Sequence, residues 1–319
     1  MINIIILISF LLIILMVLFI MYHYKPYSIK PFRTDILVSG VPEGIHSPEM
    51  YDKLIKSSSL IDVKYIHSGN VKVKLSNSFN IKHPSCRGMK STDITIPIFA
   101  YILHHERYGY FLIDTGCDSS YAGRPYGSVK GLLVPIFMPE IELEPELAIE
   151  RQLTETELKS IKAVFFTHLH FDHTSGLPAL PDNIACIAGK GERSYFMKGL
   201  IDSKHFDRND TIYMIDFEAD YAKDSAVGKA VDLFGDQTVW AISTPGHSKG
   251  HISYLINSKE GPVFIAGDVC TLNKCIELGV GCGTSAADVE LSQATLEKII
   301  LFLKQNPEVK LWCGHDSPI

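Results

Sequence analysis

The 319-residue sequence has no internal repeat and no low-complexity tract, which excludes fibrous repeats and wholesale disorder. It also lacks a basic cluster. Thirty Lys and Arg stand against 36 Asp and Glu, for a net charge of −6, so no nucleic-acid partner is expected. Its seven cysteines are odd in number and form no repeating framework, which agrees with a reducing compartment. The most local absence lies at the start: residues 4–22 contain no Gly, Pro or charge, and Ser9 is their only polar side chain.

That run is what lifts the mean hydropathy to +0.12 in a chain that is 21% charged. At 1.5 Å per residue it is long enough to cross a hydrocarbon core of about 30 Å. Bulky Tyr22, His23 and Tyr24 follow it, and no basic n-region precedes it, so the expectation is a retained anchor and not a cleaved signal peptide. Lys25, Lys30 and Arg33 lie just beyond. The positive-inside rule then gives a single-pass membrane protein whose remaining chain is cytoplasmic. The expected organisation is an anchor over 1–24, a juxtamembrane tether over 25–60 with a short helical piece at 48–56, and one mixed α/β domain over 61–319.

Within that domain, apolar or alternating runs predict strands at 61–67, 71–75, 94–104, 110–113, 163–166, 184–188, 239–243, 252–256, 263–266 and 310–312. Thr154 and Glu157 have the spacing of a capping box before a short helix. Leu291, Thr295, Leu296, Ile299, Ile300 and Leu303 recur at helical spacing, which predicts an amphipathic helix over 288–305.

Immediately after the strand at 163–166 the chain reads Thr167-His168-Leu169-His170-Phe171-Asp172-His173. Four ligand types within six residues at a strand end are far denser than isolated core or surface histidines. Three more segments place a glycine before a ligand type: Gly246-His247, Gly267-Asp268 and Gly314-His315. Imidazole and carboxylate donors suit zinc, or iron, manganese or cobalt, better than magnesium or calcium.

The ordered set His168, His170, Asp172, His173, His247, Asp268, His315 resembles that of the metallo-β-lactamase superfamily. The segments THLHFDH, TPGHSKGHIS and CGHD, with Asp114-Thr115-Gly116 after an apolar strand, resemble its N-acyl homoserine lactonases. The resemblance implies a four-layer αβ/βα sandwich with two divalent cations, Zn2+ first, in a cleft at one sheet edge. It implies that His168, His170 and His247 hold one cation, Asp172, His173 and His315 the other, and that Asp268 bridges them. Asp114 and His251 would support these ligands from behind. One position departs from the pattern: where such lactonases carry a tyrosine three residues after the bridging Asp, this chain has Thr271. Tyr213 or Tyr221 would have to supply a phenol from elsewhere.

Two cations so held make a hydroxide nucleophile at neutral pH, polarise a carbonyl and stabilise a departing oxygen. The expected reaction is hydrolysis of a small hydrophobic lactone or ester, foremost an N-acyl homoserine lactone, as in quorum quenching. Asp268 and Asp172 would be the catalytic carboxylates, Asp172 passing a proton to the departing alkoxide. Tyr221, Thr271 and Phe171 are the candidate substrate contacts. The apolar stretch Tyr121 to Pro139 reads equally as core or dimer contact and as a lid over an acyl chain, so a homodimer is left open. Other readings are a thioesterase or phosphodiesterase of the same fold, or a membrane-tethered sensor without turnover. Only Asp316 to Ile319 follow His315, against the helical thiol-binding domain of glyoxalase II-like thioesterases, and a β-lactamase would be expected to carry Cys at position 268. Cys270 and Cys313 read as small buried apolar residues.

Overall fold

The computed structural model describes residues 2–23, 27–33, 36–37, 54–55, 58, 60–182, 184–194, 200–203, 205–206 and 211–317, with the side chains of the first helix described from Ile6 to Val17. Among the described residues thirteen strands form two sheets. The first comprises β1 (Ser28–Pro31), β2 (Ile61–Lys74), β3 (Asp93–His105), β4 (Gly109–Ile113), β5 (Ile141–Glu142), β6 (Ile161–Phe165), β7 (Ala185–Gly189) and β8 (Thr211–Ile215). Their spatial order is β1-β8-β7-β6-β4-β3-β2-β5. The second contains β9 (Ala230–Asp232), β10 (Val239–Ser243), β11 (Ile252–Ser258), β12 (Gly261–Gly267) and β13 (Lys310–Cys313), in the order β13-β12-β11-β10-β9.

Strand alternation accounts for the layers. Phe111, Ile113, Ala163 and Phe165 of the first sheet face Ala241, Tyr254, Ile256 and Ile265 of the second in one buried cluster, while Leu112, Val164 and Cys186 point the other way beneath Ile149, Leu153 and Leu177. On the far side Trp240, Ile242, Leu255 and Phe264 pack under the helix Val289–Gln305. Two sheets face to face with helical segments outside make the four-layer αβ/βα sandwich.

Most of the expected elements are found close to their expected bounds. The capping box forms, Thr154 Oγ1 accepting from Glu157 N at 3.2 Å and Glu157 Oε2 from Thr154 N at 2.8 Å. Asp288 caps the long helix by accepting from Leu291 N at 2.9 Å. The buried stripe of that helix is Ser292, Thr295, Leu296, Ile299 and Phe302, turned from the expected one so that Leu291 is exposed.

Three expectations need correction. The runs at 61–67 and 71–75 are one strand, β2, kept continuous by a bulge that shifts its register against β3 between His67 and Asn70. The stretch 25–60 is not wholly a tether, because Ser28–Pro31 pairs in parallel with Thr211–Met214 and Phe32 enters the core. β5, β8 and β9 were not expected, being short or flanked by polar residues. The helical piece at 48–56 lies outside the described residues except for Leu54 and Ile55, which are not helical.

The N-terminal helix runs Ile2–His23. Among the described residues no helix is long and apolar enough to cross a membrane. The described side chains of the N-terminal helix run from Ile6 to Val17. All of them are exposed.

Candidate metal centre

Four strand ends deliver the seven side chains to one end of the sandwich. Thr167 to His173 follow β6, and the short helix Phe171–Thr174 turns Asp172 and His173 back towards His168. His247 follows β10, Asp268 follows β12 and His315 follows β13. Because β12 and β13 are parallel, with Gly267 opposite Cys313, both release their ligand types at the same end. The pairing continues past the strands: Gly314 N donates to Cys270 O at 3.0 Å and His315 N to Thr271 O at 2.8 Å. Gly267 turns at φ +58°, and a Cβ on Gly314 would stand 2.5 Å from Asp268 Oδ1.

The seven donors form three overlapping groups, each with its ligand atoms within 4.8 Å of one another: His168, His170 and His247; His168, His173 and Asp268; Asp172, His173 and His315. The Asp268 carboxylate divides between two of them. Its Oδ2 lies 3.4 Å from His247 Nε2, while its Oδ1 lies 3.2 Å from His315 Nε2 and 3.5 Å from His173 Nε2. Asp172 Oδ2 is 3.5 Å from His315 Nε2 and 3.8 Å from His173 Nε2. Four buried atoms here, His168 Nε2, His173 Nε2, His247 Nδ1 and Asp268 Oδ1, have no hydrogen-bond partner. Buried polar atoms are rarely orphaned, and those of His168, His173 and Asp268, which belong to one donor group, fit a cation.

Charge divides the cluster in the same way. Burial, reinforced by the neighbouring imidazoles, holds His168 well below the usual histidine range, and burial does the same to His247 despite Asp268. Burial also lowers His170, against Asp172 and Asp268. These rings are neutral, as a metal donor must be. Burial opposes protonation of His173 and His315 as well, but the carboxylates outweigh it. Asp114, Asp172 and Asp268 lift His173 to about 10, and Asp268 and Asp172 raise His315. Asp268 is pushed up by burial but pulled well below the usual range by His315, His247 and His173. Positive charge is thus already favoured where Asp172, Asp268, His173 and His315 meet.

Behind these donors each of the two supporting residues is fully engaged. Asp114, in the left-handed region at φ +54°, accepts from Thr167 N, Thr167 Oγ1 and His173 Nδ1, each at 2.8 Å. His251 Nε2 accepts from Asp268 N at 3.0 Å, and its Nδ1 donates to Thr244 Oγ1 at 2.8 Å. Thr244 in turn bonds Ser253 at 2.9 Å, whose hydroxyl donates to Ala266 O at 2.7 Å. That chain fixes the neutral Nδ1–H tautomer of His251, in keeping with the fall to about 3 that burial gives it. His315 Nδ1 donates to the Pro97 carbonyl at 2.7 Å, which aims Nε2 at the carboxylates.

The cleft over these groups has a volume of about 120 Å³. Phe171 and Thr271 line it, with Val71, Val73 and Ile96 as an apolar wall. Tyr221 does not: its hydroxyl accepts from Asp216 N at 2.8 Å and its ring packs on the sandwich interior, as does that of Tyr213. Neither supplies a phenol to the cleft. The stretch Tyr121 to Pro139 is split. Tyr121, Val129, Val134 and Met138 are buried, Pro139 lines the cleft, and Leu132, Ile136 and Phe137 face outwards, at 81%, 71% and 63% exposure. Cys270 and Cys313 are buried with their sulfurs 3.2 Å apart. Sequence reasoning missed Glu192, a buried carboxylate that touches two of the ligand loops. A lone Glu on a polar turn carried no signal.

Comparison with known proteins agrees with this geometry. N-acyl homoserine lactonase AttM of Azorhizobium caulinodans is 28% identical over 210 residues, 64% of this chain and 74% of the relative. Gamma-lactamase FDB1 of Fusarium pseudograminearum is 28% identical over 138 residues, 40% of this chain, which spans only a third (33%) of that relative. The structure of an AiiA mutant from B. thuringiensis with N-decanoyl-L-homoserine at its active site superposes with a TM-score of 0.59 at 22% identity, covering 81% of this chain and 94% of that one, and shows the shared fold. A model of the metallo-beta-lactamase superfamily matches residues 95–315. That match begins in β3 and ends on His315, taking in every one of the clustered donors, and the chain belongs to the metallo-beta-lactamase superfamily.

Proposed function

We propose that the chain is a dinuclear metal-dependent hydrolase that opens a lactone or ester of a hydrophobic acid, with N-acyl homoserine lactones as its substrate class. The observation that carries this is the division of the Asp268 carboxylate between two donor groups beneath a cleft with an apolar wall. Two divalent cations in those groups supply a hydroxide nucleophile and Lewis acidity towards a carbonyl. Five imidazoles and two carboxylates favour Zn2+. His168, His170 and His247 would hold one, Asp172, His173 and His315 the other, with Asp268 between them.

The chain's own groups do the rest. Asp172 lines the cleft and faces His315, so its carboxyl group is placed to return a proton to the departing alkoxide. Val71, Val73 and Ile96 offer an acyl chain a dry wall, and Phe171 and Thr271 border the reacting end. The test is turnover by the full chain on lactone, aryl ester, thioester and phosphodiester panels, with and without chelator. Chelator-sensitive hydrolysis that favours acyl homoserine lactones is expected. Chelator-insensitive turnover, or activity confined to phosphodiesters or thioesters, would overturn the reading.

The reading extends to location. An apolar helix whose described side chains are all exposed supports a single-pass anchor at residues 4–22, and Lys25, Lys30 and Arg33 support a cytoplasmic catalytic domain. Alkaline extraction of cell membranes tests the anchor, since a peripheral protein is released. The outward Leu132, Ile136 and Phe137 give a homodimer an apolar contact, which sedimentation in detergent tests.

A further inference from the structure

The loop carrying His168 and His170 and the loop carrying His247 leave different sheets and meet where Ile252 N donates to Thr167 O at 2.8 Å and where His170 Nδ1 lies 3.0 Å from His247 Nε2. A third segment lies between them. β7 ends at Gly189, and the turn that follows is closed by Glu192 N donating to Gly189 O at 3.1 Å and tied to β8 by Lys190 N donating to Ile215 O at 2.9 Å. The turn meets the His247 loop backbone to backbone: a Cβ on Gly189 would stand 1.9 Å from Gly250 O.

From this turn the Glu192 side chain reaches both ligand loops. Its Oε2 accepts from Leu169 N at 3.1 Å, between His168 and His170, and its Oε1 accepts from Gly250 N at 2.8 Å and from Ser248 Oγ beside His247. The carboxylate is 3% exposed. Burial raises its pKa, and the three donors, from Ser248, Leu169 and Gly250, oppose that rise.

We propose that Glu192 is a positioning residue for the metal centre, setting the spacing between the His168/His170 loop and the His247 loop and so the geometry of the three-histidine site. The inference rests on the dinuclear reading given above. A carboxylate suits this task because both its oxygens only accept, so donors converge on it from two sides. Glutamine in its place turns one of those oxygens into an NH2 group that faces either Leu169 N or the Gly250 and Ser248 donors, and one loop loses its tie to the turn. The hydrogen bonds of Glu192 flank His168, His170 and His247, whereas Glu192 faces the second site only through the charge of His173, so the second site is affected less.

The test compares the full-length protein with Glu192→Gln by zinc competition against a chromophoric chelator, which yields two dissociation constants per chain. One constant should rise about 10- to 100-fold, the usual cost of losing an outer hydrogen bond to a metal site, while the other stays within about threefold. Unchanged constants, or both rising equally together with a lower melting temperature of the metal-free protein, would overturn the proposal. Should Glu192→Gln fail to fold, Ser248→Ala removes a single donor and is judged by the same criterion, with an expected rise of about three- to tenfold in one constant only. Absence of zinc from the wild-type chain would sink the dinuclear reading and this inference with it, whereas two bound ions that Glu192→Gln leaves undisturbed would sink the inference alone.

Discussion

Asp114 Oδ2 receives the Nδ1–H of His173 at 2.8 Å, and the same carboxylate holds Thr167, the residue before His168, by its backbone N and its hydroxyl. One buried side chain on β4's continuation thus orients ligands intended for both metals. Asparagine tolerates the same left-handed backbone but presents an NH2 group to one of these donors. Asp114→Asn is expected to weaken metal binding about 10- to 100-fold with little change in fold. Metal titration followed by circular dichroism checks this, and wild-type affinity in the variant would refute it.

Gly314 has no room for a methyl group, since its Cβ would lie 2.5 Å from Asp268 Oδ1 and 2.9 Å from Gly267 C. Gly314→Ala should displace the shared carboxylate, cost about 1–3 kcal/mol and reduce bound metal from two ions per chain towards one. Elemental analysis against protein concentration reads the stoichiometry directly; a full complement of two ions would show that the close approach is relieved elsewhere.

His205 gives the fold an acid limit. It is wholly buried, with Nδ1 3.0 Å from Thr174 Oγ1 and Nε2 3.2 Å from Tyr121 OH, and burial lowers it to about 3. An unfolded histidine titrates near 6.5, so below that pH the unfolded chain takes a proton that the folded one refuses. The stability present above about pH 6.5 is therefore lost at about 1.4 kcal/mol per unit as pH falls towards 3. Urea unfolding of His205→Gln between pH 7 and 5 should show a shallower slope than wild type, and equal slopes would refute the assignment.

Tyr221→Phe separates stability from catalysis. The hydroxyl accepts from Asp216 N, remote from the cleft, so its loss should cost about 0.5–1.5 kcal/mol and leave kcat/KM for a lactone within about twofold. A large fall in kcat at constant KM would return this tyrosine to the chemistry.

What could be read in advance was whatever local sequence decides. The ligand types at β6, β10, β12 and β13 were legible because each sits at the end of a short apolar run, usually after a glycine, and strand ends are where side chains can gather. The capping box was legible for the same reason, being a matter of four consecutive residues. Tyr221 was misplaced because nothing in a sequence says which face a loop tyrosine takes. Glu192 was overlooked because its role exists only when two loops, more than fifty residues apart, close upon it. β1 escaped notice since its four residues gain their strand character from pairing with β8.

Of the seven clustered side chains, His168, His170, Asp172 and His173 leave the eight-stranded sheet, and His247, Asp268 and His315 leave the five-stranded one. Elsewhere the two sheets are held together by apolar packing, and at the opposite end by polar ties, Lys259 N donating to Ile61 O at 2.9 Å and His105 Nε2 lying 2.8 Å from Asp236 Oδ2. Cations at this end would act as rivets through both plates. Metal would then fasten the end where substrate enters as those polar ties fasten the other, and its removal would loosen the sandwich from the cleft side.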